Sequence, residues 1–270
     1  MPPRLISGAI LAFWLAMTAW LIEREVVPMM LADASPSYMP NFTDEIGTPT
    51  ILWFVYHDGN RIGSATSRIV RGPDHTFDFQ TNLLFNEKMP SIRQVERSNR
   101  VTEAGELRAF KFSITIAKGD TFEIRGKVEA QTLRPRVFYN GMETKLFDLG
   151  EIDMGQQGSS VNSMALVNRL RNLHDGQTWT IPPFDPMRNM REKFGGLALL
   201  KSFSVPVYIA RVKTDALNWH GKQVACYKIE YQEPGKEVTA STWVRRADGL
   251  VLQQEAAHFG SEMIVRRAPE

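Results

Sequence analysis

The chain has a single cysteine in 270 residues, Cys226. An internal disulfide is therefore excluded, and the fold does not rest on covalent staples. A lone thiol suits a buried position in a Gram-negative periplasm better than a heavily oxidised secreted protein. Charge of one sign is also sparse in any one place. The formal net charge is +2, and Arg245-Arg246 and Arg266-Arg267 are isolated doublets on strand-like segments. Without a basic stripe, a nucleic-acid partner is not expected. Catalytic signatures are missing too. No H-x-x-x-H or C-x-x-C pair, G-x-S-x-G elbow, Walker loop or dinucleotide loop occurs. No metal, no other cofactor and no enzyme activity are expected on that basis.

The chemistry-bearing residues that are present have plain structural uses. Cys226 lies in the strand-like run Val224-Ala225-Cys226-Tyr227, where a cysteine acts as a small buried hydrophobe. His57, His75, His174, His220 and His258 are scattered, four of them in or beside turn signals. Asp58, Glu103, Asp120, Asp248 and Glu262 belong mostly to hairpin turns, where a carboxylate bonds local backbone. The loop Gly155-Gln156-Gln157-Gly158-Ser159-Ser160 offers an anion a place before a helix, but reads better as a flexible connection.

What the sequence does have is one long apolar run, Leu5 to Ile22, with Ser7 and Thr18 as its only polar members. A helix of this length is about the minimum that crosses a hydrocarbon core. Arg4 and the α-amine precede it, which places the N-terminus in the cytoplasm and the rest outside. The competing reading is a cleaved signal peptide with its site at Ala32-Asp33-Ala34. The anchor is preferred, because that site lies beyond Glu23, Arg24 and Glu25 and well past the apolar run. Pro28, Pro36, Pro40 and Pro49 mark an extended linker. The expected organisation is an anchor at 1–25, a linker at 26–49 and an extracytoplasmic domain at 50–270.

That domain reads as mainly β. Ile51 to Tyr56 is aromatic and β-branched, and Asp58-Gly59 is a hairpin pair before a return strand to Val70. Strands are expected at Thr76 to Phe85, Ile92 to Val101, Leu107 to Ile116 and Phe122 to Val128. Later strands are expected at Val207 to Val212, Val224 to Tyr231, Val238 to Arg245, Leu250 to Glu255 and Met263 to Arg266. Turns every eight to twelve residues argue an antiparallel meander, forming an open half-barrel or curved sheet. A faint echo between residues 99–125 and 242–266 suggests a duplicated unit, although two generic hairpins would give the same pattern.

The centre differs. Ser159-Ser160 caps an expected helix to Leu173, with Leu166, Leu170 and Leu173 on one face. Beyond it, Phe184, Met187, Met190, Phe194, Leu197 and Phe203 follow no clean period. Two readings stay open for that stretch: core packed under the sheet, or a lid over an apolar cavity. These residues and the three leucines are the candidate ligand-binding set.

The segments "ILWFVYHDGNRIGSATSRIV", "GELRAFKFSI", "FEIRGKVE", "LHDGQTWTIPPFDP" and "TWVRRADGLVLQQE" together resemble an uncharacterised bacterial extracytoplasmic β-rich domain. The resemblance covers roughly Trp53 to Arg267. Domains of that kind often precede a transglutaminase-like domain, whose Cys-His-Asp set is absent here. The resemblance thus implies an accessory or binding module. More loosely, the pattern is similar to periplasmic lipoprotein-carrier half-barrels, a similarity of fold that fixes no ligand. The expectation is a single-pass protein of the inner membrane that meets an apolar or lipid-like ligand outside the cytoplasm. The alternative is an interaction scaffold for an envelope protein partner of peptidase-like or transglutaminase-like type.

Overall fold

The computed structural model of the protein describes residues 13–18, 20, 49–72, 74–89, 91–144, 149–153, 166–180, 209–232, 235, 237–258 and 261–269. The first half of the domain is a meander of β1 (Ile51–His57), β2 (Asn60–Arg71), β3 (Thr76–Phe85), β4 (Ile92–Thr102) and β5 (Leu107–Ile116). It continues through β6 (Thr121–Glu129), β7 (Thr132–Tyr139), β8 (Met142–Thr144) and β9 (Ile152–Asp153). The second half holds β10 (Thr178–Thr180), β11 (Ile209–Trp219), β12 (Lys222–Gln232), β13 (Val238–Arg245), β14 (Val251–His258) and β15 (Ser261–Arg267).

These strands make one antiparallel sheet. Its path runs from β10 through β15 to β1 and on to β8, with β9 paired to β7 off the path. The two halves join where β1 pairs β15, with Trp53 opposite Arg267 and Val55 opposite Val265. Among the described residues the path does not close, so β10 ends one side and β8 and β9 end the other. The mainly β, open antiparallel meander is thus the one the strand periodicity predicts.

Local chemistry explains the hairpins. Asp58 and Gly59 both have positive φ, 48° and 76°, as a two-residue turn matched to strand twist requires. The β6–β7 hairpin does the same with Ala130 and Gln131, at 48° and 65°, and without a glycine. Alternation sends one set of side chains to an inner face. Trp53, Val55, Leu133, Ile229 and Tyr231 are fully buried there. Each such side chain contributes roughly 1.5–3 kcal/mol by leaving water. The inner face forms a single apolar cluster that extends from β1 to Trp179 on β10 and Val137 on β7.

One expectation needs correction and another falls mostly outside the described residues. The central helix is not seen: residues 166–173 are not helical, and residues 159–165 lie outside the described residues. Asn172 has φ 60°, which a helix does not accommodate. The segment instead takes its hydrogen bonds from the sheet, with an isolated antiparallel bridge between Arg169 and Leu250. The expected membrane span falls mostly outside the described residues. Of it, residues 13–18 and 20 are helical, with Phe13 and Trp14 exposed. Among the described residues, no helix is long and apolar enough to cross a membrane.

Candidate functional site

The inner face follows from register. Phe79 of β3 pairs Asn99 of β4, which pairs Phe110 of β5, which pairs Gly126 of β6. The next row of that face is Thr81, Arg97, Phe112 and Ile124. Paired residues in antiparallel strands share a face. Arg97 and Asn99 therefore occupy the apolar phase of β4, between Val95 and Val101. Their row neighbours Phe79, Phe110, Phe112 and Ile124 are buried. Arg97 itself is exposed and Asn99 half-buried. With its amide oxygen turned to the guanidinium, Asn99 accepts from Arg97 Nη2 at 3.0 Å and Nε at 3.3 Å. In the same orientation its amide nitrogen donates to the Ser98 carbonyl at 3.2 Å. Gly126 keeps this region compact, since a Cβ there would lie 2.3 Å from Phe110 Cε1.

The opposite face of these strands carries the acids, and it pairs them. Asp78 accepts from Arg100 Nε and Nη2, both at 2.9 Å. Glu123 takes Lys111 Nζ at 3.0 Å and Arg125 Nε. Burial pulls the Glu123 carboxyl up, but the bonds from Arg125 and Lys111 outweigh it and hold the group below its ordinary value. By register, no Asp or Glu occupies an inner-facing strand position from β1 to β7.

Of the candidate ligand-binding residues, the structure places Leu166, Leu170 and Leu173. Phe184, Met187, Met190, Phe194, Leu197 and Phe203 lie outside the described residues. Leu170 and Leu173 are buried in the same cluster as Phe110 and Phe112, and Leu166 packs against it. They reach it on an extended strap. Leu170 N–H donates to Gly249 O at 2.8 Å, and Val251 N–H to Asn168 O at 3.0 Å. Further on, Gly176 N–H bonds Val212 O at 3.0 Å. Asn168 Oδ1 accepts from Arg267 Nη1 at 2.8 Å. The Arg267 guanidinium carbon lies 5.9 Å from the Trp53 ring centre, and Trp53 Nε1 donates to Ser67 Oγ at 2.9 Å. Arg97, Asn99, Asn168 and Arg267 were absent from the candidate set. For Arg97 and Asn99 the strand phase carried the signal.

A second apolar cluster of Leu217, Cys226, Trp243, Leu250 and Leu252 forms on the other face of β11 to β14. Burial pushes the Cys226 thiol up to about 11, which suits packing and not nucleophilic attack. Trp243 Nε1 donates to Asp215 Oδ2 at 3.0 Å. Among the described residues, no three His, Cys, Asp or Glu side chains group so as to hold a metal ion. His57 lies 3.4 Å from Asp58, and His75 lies 3.7 Å from Glu103 and 3.4 Å from Arg71 Nη2. Gly155 to Ser160 lie outside the described residues.

Sheet and lining together define a β-rich domain of open antiparallel type. No family model matches the sequence, and no curated protein matches it. Among solved structures, the chain is similar to the crystal structure of a beta-barrel-like protein of the domain of unknown function DUF1849 from Brucella abortus. That match covers 81% of this chain and 95% of the other, at 10% identity and a TM-score of 0.40.

Proposed function

We propose that this chain is a membrane-anchored, non-catalytic binding module outside the cytoplasm, which holds an apolar or lipid-like ligand on the inner face of its sheet. The observation that carries this reading is the lining. One cluster of buried apolar side chains extends from β7 through β1 to β10, and the strap that bears Leu166, Leu170 and Leu173 packs on it. A sheet whose path does not close among the described residues would give such a lining an entrance, in the manner of a half-barrel. The apolar run from Leu5 to Ile22 supports an anchor that keeps the module near the membrane. The test is native mass spectrometry of the full chain, taken from membranes with a mild detergent that is then stripped in the gas phase. A co-purifying apolar molecule in one-to-one ratio, displaced by a fluorescent fatty acid, is the expected result. A chain that emerges empty and binds no such probe would remove the reading.

One observation favours a scaffold role instead. The end strand β8 pairs only β7 among the described residues, and Met142 on it is 71% exposed. A short end strand with an exposed apolar residue suits strand addition by a partner. The resemblance to domains found upstream of transglutaminase-like domains points to a separate protein of that type. Crosslinking in membranes from Met142 should then capture one dominant partner, and recovery of scattered abundant proteins would count against it.

A further inference from the structure

We infer that the outer face of β15, β1, β2 and β3 docks on a bilayer surface that carries anionic phospholipid. This rests on the anchored reading for the position of the bilayer, and it adds which face meets it. Register places Arg266, Phe54, Ser64 and Leu84 in one row across these four strands. Leu52, Thr66 and Asn82 form the next row, and Arg68 and Gln80 the one after. These residues alternate with Trp53, Val55, Ala65 and Phe85, which are buried, so they take the opposite face. On that face Leu52 and Leu84 are 43% and 49% exposed.

The charges of this strip are unlike those elsewhere on the outer face. β1 and β2 contain no Asp or Glu, and Asp78, the one acid of β3, is held by Arg100. Arg61, Arg68 and Arg266 meet neutral groups. Arg61 Nε donates to Gly63 O at 3.4 Å, Arg68 Nε to Gln80 Oε1 at 2.7 Å and Arg266 Nε to Gln253 Oε1 at 2.7 Å. The Arg61 guanidinium carbon lies 3.8 Å from the Phe54 ring centre, and that of Arg266 lies 5.7 Å from the Tyr56 ring centre. Among the described residues none of these three cations has a carboxylate partner. On other strands the cations are matched: Lys111 with Glu123 at 3.0 Å, Arg134 with Glu151 at 2.9 Å and Lys213 with Glu230 at 2.6 Å. Uncompensated arginines around exposed leucines complement an anionic headgroup layer. The guanidinium forks reach phosphate oxygens, while the arginine stems and the leucines enter the apolar boundary beneath. A neutral bilayer lacks the net negative charge that the cations favour. Because the anchor precedes β1 in the chain, the bilayer is also the partner held at the highest effective concentration beside this face.

The test uses the full chain in phosphatidylcholine vesicles and in vesicles of an equal mixture of phosphatidylcholine and phosphatidylglycerol. Leu84→Cys carries an environment-sensitive nitrobenzoxadiazole dye, and Lys127→Cys on β6 carries it as a control. Cys226 is fully buried and does not compete for the dye. Lipid with a nitroxide headgroup reports contact with the bilayer by quenching. In mixed vesicles the dye at position 84 should be quenched and the dye at position 127 should not. Neutral vesicles or high salt should release position 84, since exposed charges are screened. Replacing both Arg61 and Arg68 by Gln should lower the docked-to-free ratio about twentyfold, at about fivefold per cation near an anionic surface. Should that variant fail to fold, the lipid and salt comparisons with both arginines in place decide. Equal quenching at position 84 in the two kinds of vesicle, equal quenching at positions 84 and 127, or none at 84 overturns the inference. A dye at position 84 that is shielded from aqueous acrylamide and untouched by the nitroxide lipid also overturns it, and assigns the face to a second copy or another protein. A chain stripped from both kinds of vesicle by alkaline carbonate overturns the anchored reading instead, while quenching measured before the wash still decides the docking.

Discussion

Arg267 and Asn168 stand 99 positions apart in the chain and meet at 2.8 Å, the guanidinium donating to the amide oxygen. Both are buried, at 9% and 5% exposure. The bond ties the last strand to the strap at residues 166–173, and through Trp53 it reaches β1, where the two halves of the sheet join. One polar contact thus connects the strap to the seam of the sheet.

Replacing Asn168 with Ala removes the acceptor and leaves a buried cation with one fewer partner. The cost expected for such a loss is about 1–3 kcal/mol. The urea midpoint of the full chain, followed by tryptophan fluorescence, should fall accordingly. An unchanged midpoint would show that the strap is held by its backbone bonds to Gly249 and Val251 alone.

The β6–β7 turn predicts a gain in stability. Ala130 and Gln131 both have positive φ, 48° and 65°, a region that costs an L-residue about 1–2 kcal/mol. Gln131→Gly removes that strain at one position and adds freedom to the unfolded chain. A net gain of about 0.5 kcal/mol is expected. A lower melting temperature for Gln131→Gly would mean that the turn is already relaxed.

Most of the sheet was legible because it is written in alternation. The bounds of β3 and β5 follow from Phe77 and Phe79, and from Phe110, Phe112 and Ile114. β7 was not legible, since Pro135 interrupts it between Arg134 and Arg136. The structure accommodates Pro135 because β8 pairs residues 137–139 and β9 pairs residues 132–133, leaving the proline level without a second partner among the described residues. The strap was misread as a helix. The spacing of Leu166, Leu170 and Leu173 fits a helical face, while the bonds that hold the segment extended come from Gly249 and Val251, far along the chain. Nothing local encodes them. Arg97 and Asn99 were hidden differently: β4 reads as a polar strand, so their place in phase with Val95 and Val101 was easily passed over, and the register against β3 and β5 puts them on the face of the phenylalanines.

Acid should weaken the fold through two carboxylates. Asp248 receives Arg245 Nε at 2.9 Å and Nη2 at 2.7 Å, and the Arg245 bonds hold its carboxyl below the ordinary value. Glu123 is held below its ordinary value as well. For a carboxyl depressed on folding, the stabilisation is complete above the unfolded value, about 3.9 for Asp. It is lost as pH falls through that value toward the folded one. Stability measured between pH 6 and pH 3 should drop in the wild type, and less steeply in Asp248→Asn. Parallel curves would show that the Asp248 pair contributes nothing, as many exposed pairs do.

Cys226 offers a check on the outer cluster that is independent of the ligand face. The thiol is fully buried, packs in the cluster with Trp243 and Leu252, and is raised to about 11. At pH 8 such a thiol is almost wholly protonated, far more so than an ordinary thiol, whose value is about 8.5. Alkylation by iodoacetamide therefore requires opening of β11 to β13, and labelling of the folded chain should lag far behind that of the urea-unfolded chain. Since Cys226 pairs Asp215 and Arg245 across its neighbours and not the strap side of the sheet, occupancy of the inner face should slow labelling only by stabilising the whole domain. Rapid labelling of the folded chain, unaltered by a bound amphiphile, would show that β11 to β13 open separately from the rest of the sheet.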